Sequence, residues 1–235
     1  MPIDDYFRKT EGKFLDNSFT PENYVILEGK SYANYSYPDL LVSKKRTHIG
    51  KDWIGSQRGL HMNNSFMFNL TQFVDFIKLI RSDKVYDGNG RKLRGQEVND
   101  IENNFLAWHH CDKGEWLDTN FTPNPKGGLL IINYDHRTLK GELRPMRSDA
   151  LTPYLEKDMW INFEEWLSLN TIYGLPWERK YKKGNLGYIA PLNSSNKAYS
   201  VSQFFCTNYG HLLACRVDHT NVLDTVGVHE VKIRP

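Results

Sequence analysis

The chain has 235 residues, of which 40% are hydrophobic and 13% aromatic, so it is long enough to bury a sizeable core, and we expect one domain over residues 1–235. Its 30 basic and 28 acidic residues leave a net charge of +2. A balance this close to zero excludes the strong overall field that is typical of proteins that bind nucleic acid, and we expect no nucleic-acid partner.

The sequence contains no apolar run of the length that a membrane-spanning helix needs, and its first residues lack the basic and apolar regions of a signal peptide. We therefore expect a soluble protein that is made in the cytoplasm and does not insert directly into a membrane. Its three cysteines, Cys111, Cys206 and Cys215, cannot all pair within one molecule, which argues against a disulfide-built secreted scaffold. Display on a virion or a cell surface would require a partner.

The first half of the chain predicts two strands and two helices. The segment from Tyr24 to Lys44 indicates two short strands around a polar turn. Asn69, with a glutamine three residues later, predicts a capped helix whose apolar residues recur at helical spacing. The stretch "YDGNGRKL" predicts a tight reversal, and apolar spacing predicts a second helix over 95–108.

The second half of the chain predicts a change from helix to sheet. Thr152 and Pro153 predict the start of a third helical region, which restarts at Asn162. "GGLLIINYD" is typical of a central buried strand, and from Leu186 onward four short strands alternate with polar turns. Helices in the first two thirds and an irregular antiparallel sheet at the C-terminus predict an α+β fold.

Residues 193–225 have an unusual polar composition. Seventeen of these 33 positions are Asn, Ser, Thr, Tyr, His or Asp, with a single lysine and no glutamate. An ordinary solvated surface is rich in Lys and Glu, whereas binding surfaces use Tyr for rigid contact area and Ser and Asn for adaptable hydrogen bonds. The composition alone is equally compatible with polar connections between strands.

The stretch "NVLDTVGVHEV", in which Asp224 precedes Val226-Gly227-Val228 and a closing strand, resembles the C-terminal end of the variable proteins of diversity-generating retroelements. The resemblance implies a C-type lectin fold of the formylglycine-generating-enzyme kind. It also implies that a reverse transcriptase diversifies adenine positions in one C-terminal stretch, here residues 186–235. This chain has His229 where the family often has an arginine.

The resemblance implies that polar residues between the apolar positions of this stretch face the ligand, with Tyr209 and Arg216 as the main anchors. Val217, Val226 and Val228 are expected to support them. The expected ligand-facing residues are Tyr188, Asn193, Ser195, Asn196, Tyr199, Asn208, Tyr209, His211, Arg216, Asp218, His219 and Asn221.

Residues 108–116, "WHHCDKGEW", form the most metal-like cluster, because His109, His110 and Cys111 are adjacent. Neighbouring residues point apart, however, and zinc ligands are usually two to five residues apart or come from several elements. A helix end with partly exposed histidines accounts for this cluster better. We therefore expect no metal and no cofactor.

Two enzyme classes remain as alternatives. Glu28, Lys30 and Asp39 resemble fragments of a metal-dependent nuclease core, although in the wrong order, and Cys206 with Cys215 are the pair that a Cys-based oxidase on this scaffold would use. The sequence lacks a nucleophile elbow, a Walker loop and a dinucleotide-binding glycine motif. The six tryptophans favour core positions over a ligand platform.

The sequence thus predicts a non-catalytic protein that binds a protein or cell-surface ligand through a diversified C-terminal polar surface. The alternative is a metal-dependent nuclease or a Cys-based oxidase.

Overall fold

The computed structural model describes residues 20–106, 113–127, 129–168, 173–177, 179–192 and 200–235. In these residues the fold is mostly β, with 39% strand and 21% helix. The helices are α1 (Trp53–Met62), α2 (Leu70–Ile80), α3 (Gln96–Leu106) and α4 (Phe163–Ser168), with a short 3-10 helix at Pro21–Asn23. The strands are β1 (Tyr24–Leu27), β2 (Lys30–Ser31), β3 (Ser36–Tyr37), β4 (Leu40–Thr47), β5 (Gly114–Pro123), β6 (Leu130–Tyr134), β7 (Arg137–Leu139), β8 (Glu142–Arg144), β9 (Arg147–Ala150), β10 (Met159–Ile161), β11 (Leu186–Ile189), β12 (Ser200–Thr207), β13 (Gly210–Asp218) and β14 (Val226–Ile233).

Ten of these strands form one mixed sheet. Its order is β1-β4-β14-β5-β12-β13-β11-β10, and β6 and β9 branch from β5. The pairs β14–β5 and β11–β13 are parallel, and the other pairs are antiparallel. The hairpins β2–β3 and β7–β8 stand apart from this sheet. Strand β5 is the junction, because it pairs with β14, β12 and β6.

The two faces of the sheet carry separate hydrophobic clusters. On one face, Phe73 of α2, Phe105 of α3 and Trp166 of α4 belong to a cluster that includes Leu117 of β5. On the other face, α1 contributes to a smaller cluster that contains Trp116. Leu117 and Trp116 are neighbours on β5, and consecutive side chains of a strand point to opposite faces. Strand β5 is therefore buried on both sides.

Several local predictions are confirmed. The strands β1 and β4 pair as expected, and α2 begins with a complete capping box between Asn69 and Gln72. Helix α3 lies inside the predicted range. The four C-terminal strands β11 to β14 form at the predicted places.

The predicted fold class is wrong. The four helices of the described residues lie between positions 53 and 168, whereas strands run from Tyr24 to Ile233. The helix expected from Thr152 is absent from the described residues there, and β10 precedes the short α4. The C-terminal strands are not an irregular antiparallel sheet, because they belong to the large mixed sheet that also contains β1 and β4. The fold is mostly β rather than α+β because pairing between distant strands dominates it.

The glycine in the Val226-Gly227-Val228 motif has a packing reason. A Cβ at Gly227 would lie 2.8 Å from the carbonyl oxygen of Thr47 and 3.0 Å from Cγ1 of Ile49. Both valines have no exposed surface. The motif therefore allows the start of β14 to approach the end of β4 closely. None of the described helices is long and apolar enough to cross a bilayer.

Candidate binding surface

The predicted ligand-facing residues do not form one continuous group. Four of them, Asn193, Ser195, Asn196 and Tyr199, lie outside the described residues. The other eight fall into a buried pair, a turn at one end of β13, and a loop region at the other end.

The buried pair consists of Tyr188 and His211, which are 1% and 2% exposed. The His211 ring packs between Phe163 and Phe204, with ring centroids 4.4 and 5.6 Å away. Burial, with a smaller contribution from Arg81, lowers the pKa of His211 to about 4. These two side chains belong to the core and present no contact area to a ligand.

The turn contains Asn208 and Tyr209, which connect β12 to β13. Tyr209 is 84% exposed, and its backbone is held because its N–H donates to Oγ1 of Thr207 at 3.2 Å. Arg216 lies seven residues further along the strand, a separation of roughly 20 Å at the usual rise per strand residue. The two expected anchors therefore lie at opposite ends of β13.

The second end of β13 leads into the loop of residues 218–225, which joins β13 to β14. Oδ1 of Asp218 accepts hydrogen bonds from the backbone N–H of Thr220 at 2.9 Å and from its hydroxyl at 2.8 Å. The Asn221 N–H donates to the Asp218 carbonyl at 3.0 Å. Such local bonds hold a turn in place without burying its side chains.

The loop is also fixed to the rest of the fold. The N–H of Trp53 donates to the His219 carbonyl at 3.2 Å, and the N–H of Val226 donates to the Leu223 carbonyl at 3.0 Å. Leu223 packs against the cluster on the α1 face of the sheet, as does Val217. Two buried strands and the start of α1 therefore hold the backbone of the loop.

The side chains of this loop mostly face solvent. Thr220, Asn221 and Asp224 are exposed, and Val222 is 56% exposed. Ile49, on the neighbouring segment after β4, is 58% exposed and approaches Gly227 at the base of the loop. We call residues 218–225 together with Ile49 and Arg216 the loop surface.

Arg216, one of the two expected anchors, already has an ion-pair partner within the protein. Its Nη2 donates to Oδ2 of Asp158 at 2.5 Å, and the two side chains are 31% and 46% exposed. Asp158 also accepts from the N–H of Ala190 at 2.9 Å. Arg216 therefore joins β13 to the chain around β10 and β11 in addition to facing solvent.

A buried polar cluster on the α1 face lay outside the sequence predictions. Asp118 of β5 accepts from Nε2 of Gln57 at 2.8 Å and from the N–H of His136 at 2.9 Å, and its Oδ1 lies 2.5 Å from Nδ1 of His136. All three residues are at most 2% exposed. Burial and the charge of Asp118 raise the pKa of the neighbouring Asp135. The partners are far apart in sequence, so no local pattern indicated the cluster.

A second buried pair joins β5 to β14. Glu115 accepts from the N–H of His229 at 2.6 Å and lies 2.9 Å from its Nδ1. The His229 ring stacks on Phe105 at 3.7 Å and has no exposed surface. Burial lowers the pKa of His229, although Glu115 opposes that shift. His229, which stands where the family often has an arginine, therefore joins β14 to β5 inside the protein.

Of the cysteines that the structure describes, Cys206 and Cys215, neither has the surroundings of a nucleophile. Sγ of Cys206 lies 3.7 Å from Nδ1 of His211. Burial raises the pKa of Cys206 to about 11 and raises that of Cys215 as well. Both are free thiols and buried. A thiolate is the reactive form of cysteine, so burial disfavours a nucleophilic role for either one.

Two of the three residues of the nuclease alternative, Lys30 and Asp39, have other partners. Glu28 and Asp39 line one open depression of about 220 Å³ together with Arg234, but Lys30 bonds to the buried Asp75 at 2.7 Å. Asp75 also accepts from the hydroxyl of Tyr37 at 2.6 Å. His109, His110 and Cys111 lie outside the described residues, and within the described ones no group of three or more His, Cys, Asp or Glu side chains could hold a metal ion.

The tryptophans divide between core and surface. Trp53, Trp116 and Trp166 are buried, whereas Trp160 and Trp177 are 44% and 43% exposed. Trp108 lies outside the described residues. The prediction that the tryptophans occupy core positions is therefore confirmed for three of the five tryptophans that the structure describes.

Comparison of the chain with protein family models, with curated proteins and with solved structures gave no match. The function is therefore inferred from the residues of the chain itself.

Proposed function

We propose that the protein binds a macromolecular partner or a cell-surface ligand through the loop surface, without catalysing a reaction there. The observation that carries this proposal is the contrast within residues 218–225 between a held backbone and exposed side chains. The backbone bonds to Trp53 and to its own turn, while Thr220, Asn221, Val222 and Asp224 are exposed.

This contrast supports binding because it separates recognition from stability. Substitution of an exposed side chain that does not support other residues usually changes the free energy of unfolding by less than about 0.5 kcal/mol. A backbone that is already ordered loses little conformational entropy on binding. Asn, Thr and Asp then provide hydrogen-bonding groups, and Val222 with Ile49 provides apolar contact area.

The proposal includes diversification by a retroelement, which the resemblance of the C-terminal stretch implies. This part depends on the residues from Asn221 to Val231 and not on the fold, since the predicted fold class is wrong. A reverse-transcriptase gene beside the coding sequence, together with a near-copy of its 3′ end that differs at adenines, would support diversification. A coding region without either feature contradicts it.

The binding function can be tested by exchanging four loop side chains at once. The variant Thr220→Ala/Asn221→Ser/Val222→Ser/Asp224→Asn keeps small side chains at every position. We expect its melting temperature to stay close to that of the parent chain, because none of these side chains is buried. We also expect it to lose partners that the parent chain captures from extracts of the producing cells, as measured by quantitative mass spectrometry.

A matched control uses exposed polar positions on α3. The variant Asn99→Ser/Asp100→Asn/Asn103→Ser makes two of the same kinds of change, Asn to Ser and Asp to Asn, on a different surface. It should capture the same partners as the parent chain. Equal capture by the parent chain and the loop variant would contradict the proposal, and so would loss of capture in both variants.

A further inference from the structure

The hairpin β7–β8 lies across α1 and has one face turned to solvent. Thr138 and Leu143 are paired across the hairpin. Nδ1 of His61 on α1 lies 2.7 Å from Oγ1 of Thr138, and Leu143 packs against the hydrophobic cluster of α1. Because side chains alternate along a strand, Leu139 and Glu142 face away from α1, whereas the Arg137 guanidinium packs over the Phe66 ring, 4.9 Å from its centroid.

Three large apolar side chains protrude around this hairpin. Met62, at the end of α1, is 84% exposed, Leu139 is 46% exposed, and Met146, after β8, is 56% exposed. Met62 follows His61, which contacts the residue before Leu139. The N–H of Met146 donates to the Asp135 carbonyl near the base of the same hairpin at 3.3 Å. Exposed apolar side chains that lie together often mark an interaction site.

The hairpin and the residues that flank it, 135–147, carry more cationic side chains than carboxylates. Arg144 pairs with Glu142, and Arg147 pairs with Asp135. Lys140, at the turn of the hairpin, is exposed and makes no ion pair with a described residue. In residues 135–147, which contain the hairpin, the cations are Arg137, Lys140, Arg144 and Arg147, and the carboxylates are Asp135 and Glu142.

We propose that this basic apolar surface, formed by Met62, Leu139, Met146 and the four cations of residues 135–147, binds the anionic face of a lipid bilayer. Protruding Met and Leu side chains can enter the boundary between headgroups and acyl chains, while Lys and Arg attract the lipid phosphates. The excess of cations over carboxylates in residues 135–147 favours an anionic partner. The attraction is local, since the chain as a whole carries a charge of only +2.

The association is peripheral, because none of the described helices could cross a bilayer. It does not depend on the loop surface, which lies at the other end of α1, beside Trp53. The protein could therefore contact a membrane and a partner through separate regions.

Sedimentation of the full chain with vesicles tests the proposal. One set of vesicles contains equal parts of phosphatidylglycerol and phosphatidylcholine, and the other contains phosphatidylcholine alone. We expect binding to the anionic vesicles, weaker binding at high salt and little binding to the neutral ones. Lys140→Glu should weaken binding to the anionic vesicles about tenfold or more, because it replaces an attracted charge by a repelled one.

The apolar part is tested by Met62→Ser/Leu139→Ser/Met146→Ser, which should weaken the same binding by a similar factor while the circular dichroism spectrum stays unchanged. Lys126→Glu, at an exposed turn elsewhere, should bind as the parent chain does. Should the triple variant lose structure, the single variant Met62→Ser provides the readout, since Met62 is the most exposed of the three.

Three results would overturn the proposal. They are no binding of the parent chain to anionic vesicles, equal binding of the parent chain to neutral vesicles, or undiminished binding of both Lys140→Glu and the triple variant. Retention on DNA or on an acidic protein without vesicle binding would assign the surface to that other partner and would also overturn it. The loop variant of the preceding section should bind vesicles normally, so failure of one proposal is distinguishable from failure of the other.

Discussion

The loop surface and the buried cluster of β5 use similar polar side chains in opposite ways. On the loop, Asp218 bonds to residues two and three positions away and its side chain is 67% exposed. On β5, Asp118 bonds to residues 18 and 61 positions away and its side chain is 1% exposed. The first aspartate shapes a turn, whereas the second joins α1 to the segment between β6 and β7.

This difference shows that the partner of a polar residue, rather than its type, decides whether the residue can be exchanged. When a buried polar side chain is removed, its former partners are left unpaired in a medium of low polarity, which is costly. An exposed group that loses a local bond regains bonds to water. The two regions are therefore expected to respond very differently to the same substitution.

The largest effect is expected from the substitution Asp118→Ala. It leaves the Gln57 amide and the His136 ring without their acceptor in the interior, and each buried polar group left unpaired typically costs about 1–3 kcal/mol. The matched substitution Asp218→Ala should cost about 1 kcal/mol or less, because the Asp218 side chain is 67% exposed and water can replace its bonds within the turn. Urea unfolding of both variants measures the comparison, and equal losses would contradict it.

The next effect is a dependence of stability on pH. The pKa of His211 is about 4 in the folded protein and about 6.5 when the chain is unfolded. Below pH 6.5 the unfolded chain therefore binds a proton that the folded chain does not, so stability falls as the pH drops from 6.5 to 4. The expected loss from this residue is on the order of 3 kcal/mol.

The contribution of His211 can be isolated with the substitution His211→Gln. Unfolding free energies measured from pH 7 to pH 4 should fall less steeply in this variant than in the parent chain. Part of the slope should remain, because burial also lowers the pKa of His229. An unchanged slope would show that His211 is protonated in the folded protein or does not titrate in this range.

The smallest effect is expected on the loop surface. Single substitutions Asn221→Ser and Val222→Ser should each change the unfolding free energy by less than about 0.5 kcal/mol. Thermal unfolding followed by circular dichroism would detect a larger change. A loss above 1 kcal/mol at either position would mean that the loop side chains stabilise the fold, and it would remove the basis for an exchangeable surface.

The parts of the fold that the sequence predicts are those that depend on neighbouring residues. Asn69 and Gln72 form their capping box within one helical turn, and the apolar alternation of β11 to β14 is local. The helix expected at Thr152 failed because a cap residue and a proline are also compatible with the irregular segment before β10. Local signals were insufficient where distant pairing decides the structure.

Strand β5 is the clearest case of an element that sequence reasoning missed. Its sequence "GEWLDTNFTP" contains Glu115 and Asp118, and acidic residues are depleted in strands. Each is tolerated because a histidine from a distant segment lies beside it, His229 for the first and His136 for the second. When its distant partners are not known, the acidic residues of this segment favour a loop over a strand.

The candidate site was predicted only in part for the same reason. The exposure of Asn208, Tyr209, Asp218 and Asn221 follows from their place in turns between strands. The burial of Tyr188 and His211 does not follow from composition, because Tyr and His are intermediate in how often they are buried. The neighbours that bury them come from β10, α4 and β12.

The position of β14 has a consequence for biosynthesis. This strand lies between β4 and β5 and is the element that connects them in the sheet order. Until the residues from Val226 onward have been synthesised, the strands β1 and β4 cannot be hydrogen-bonded to the rest of the sheet. A nascent chain of that length exposes two unpaired strand edges, a state in which aggregation competes with folding and chaperones act.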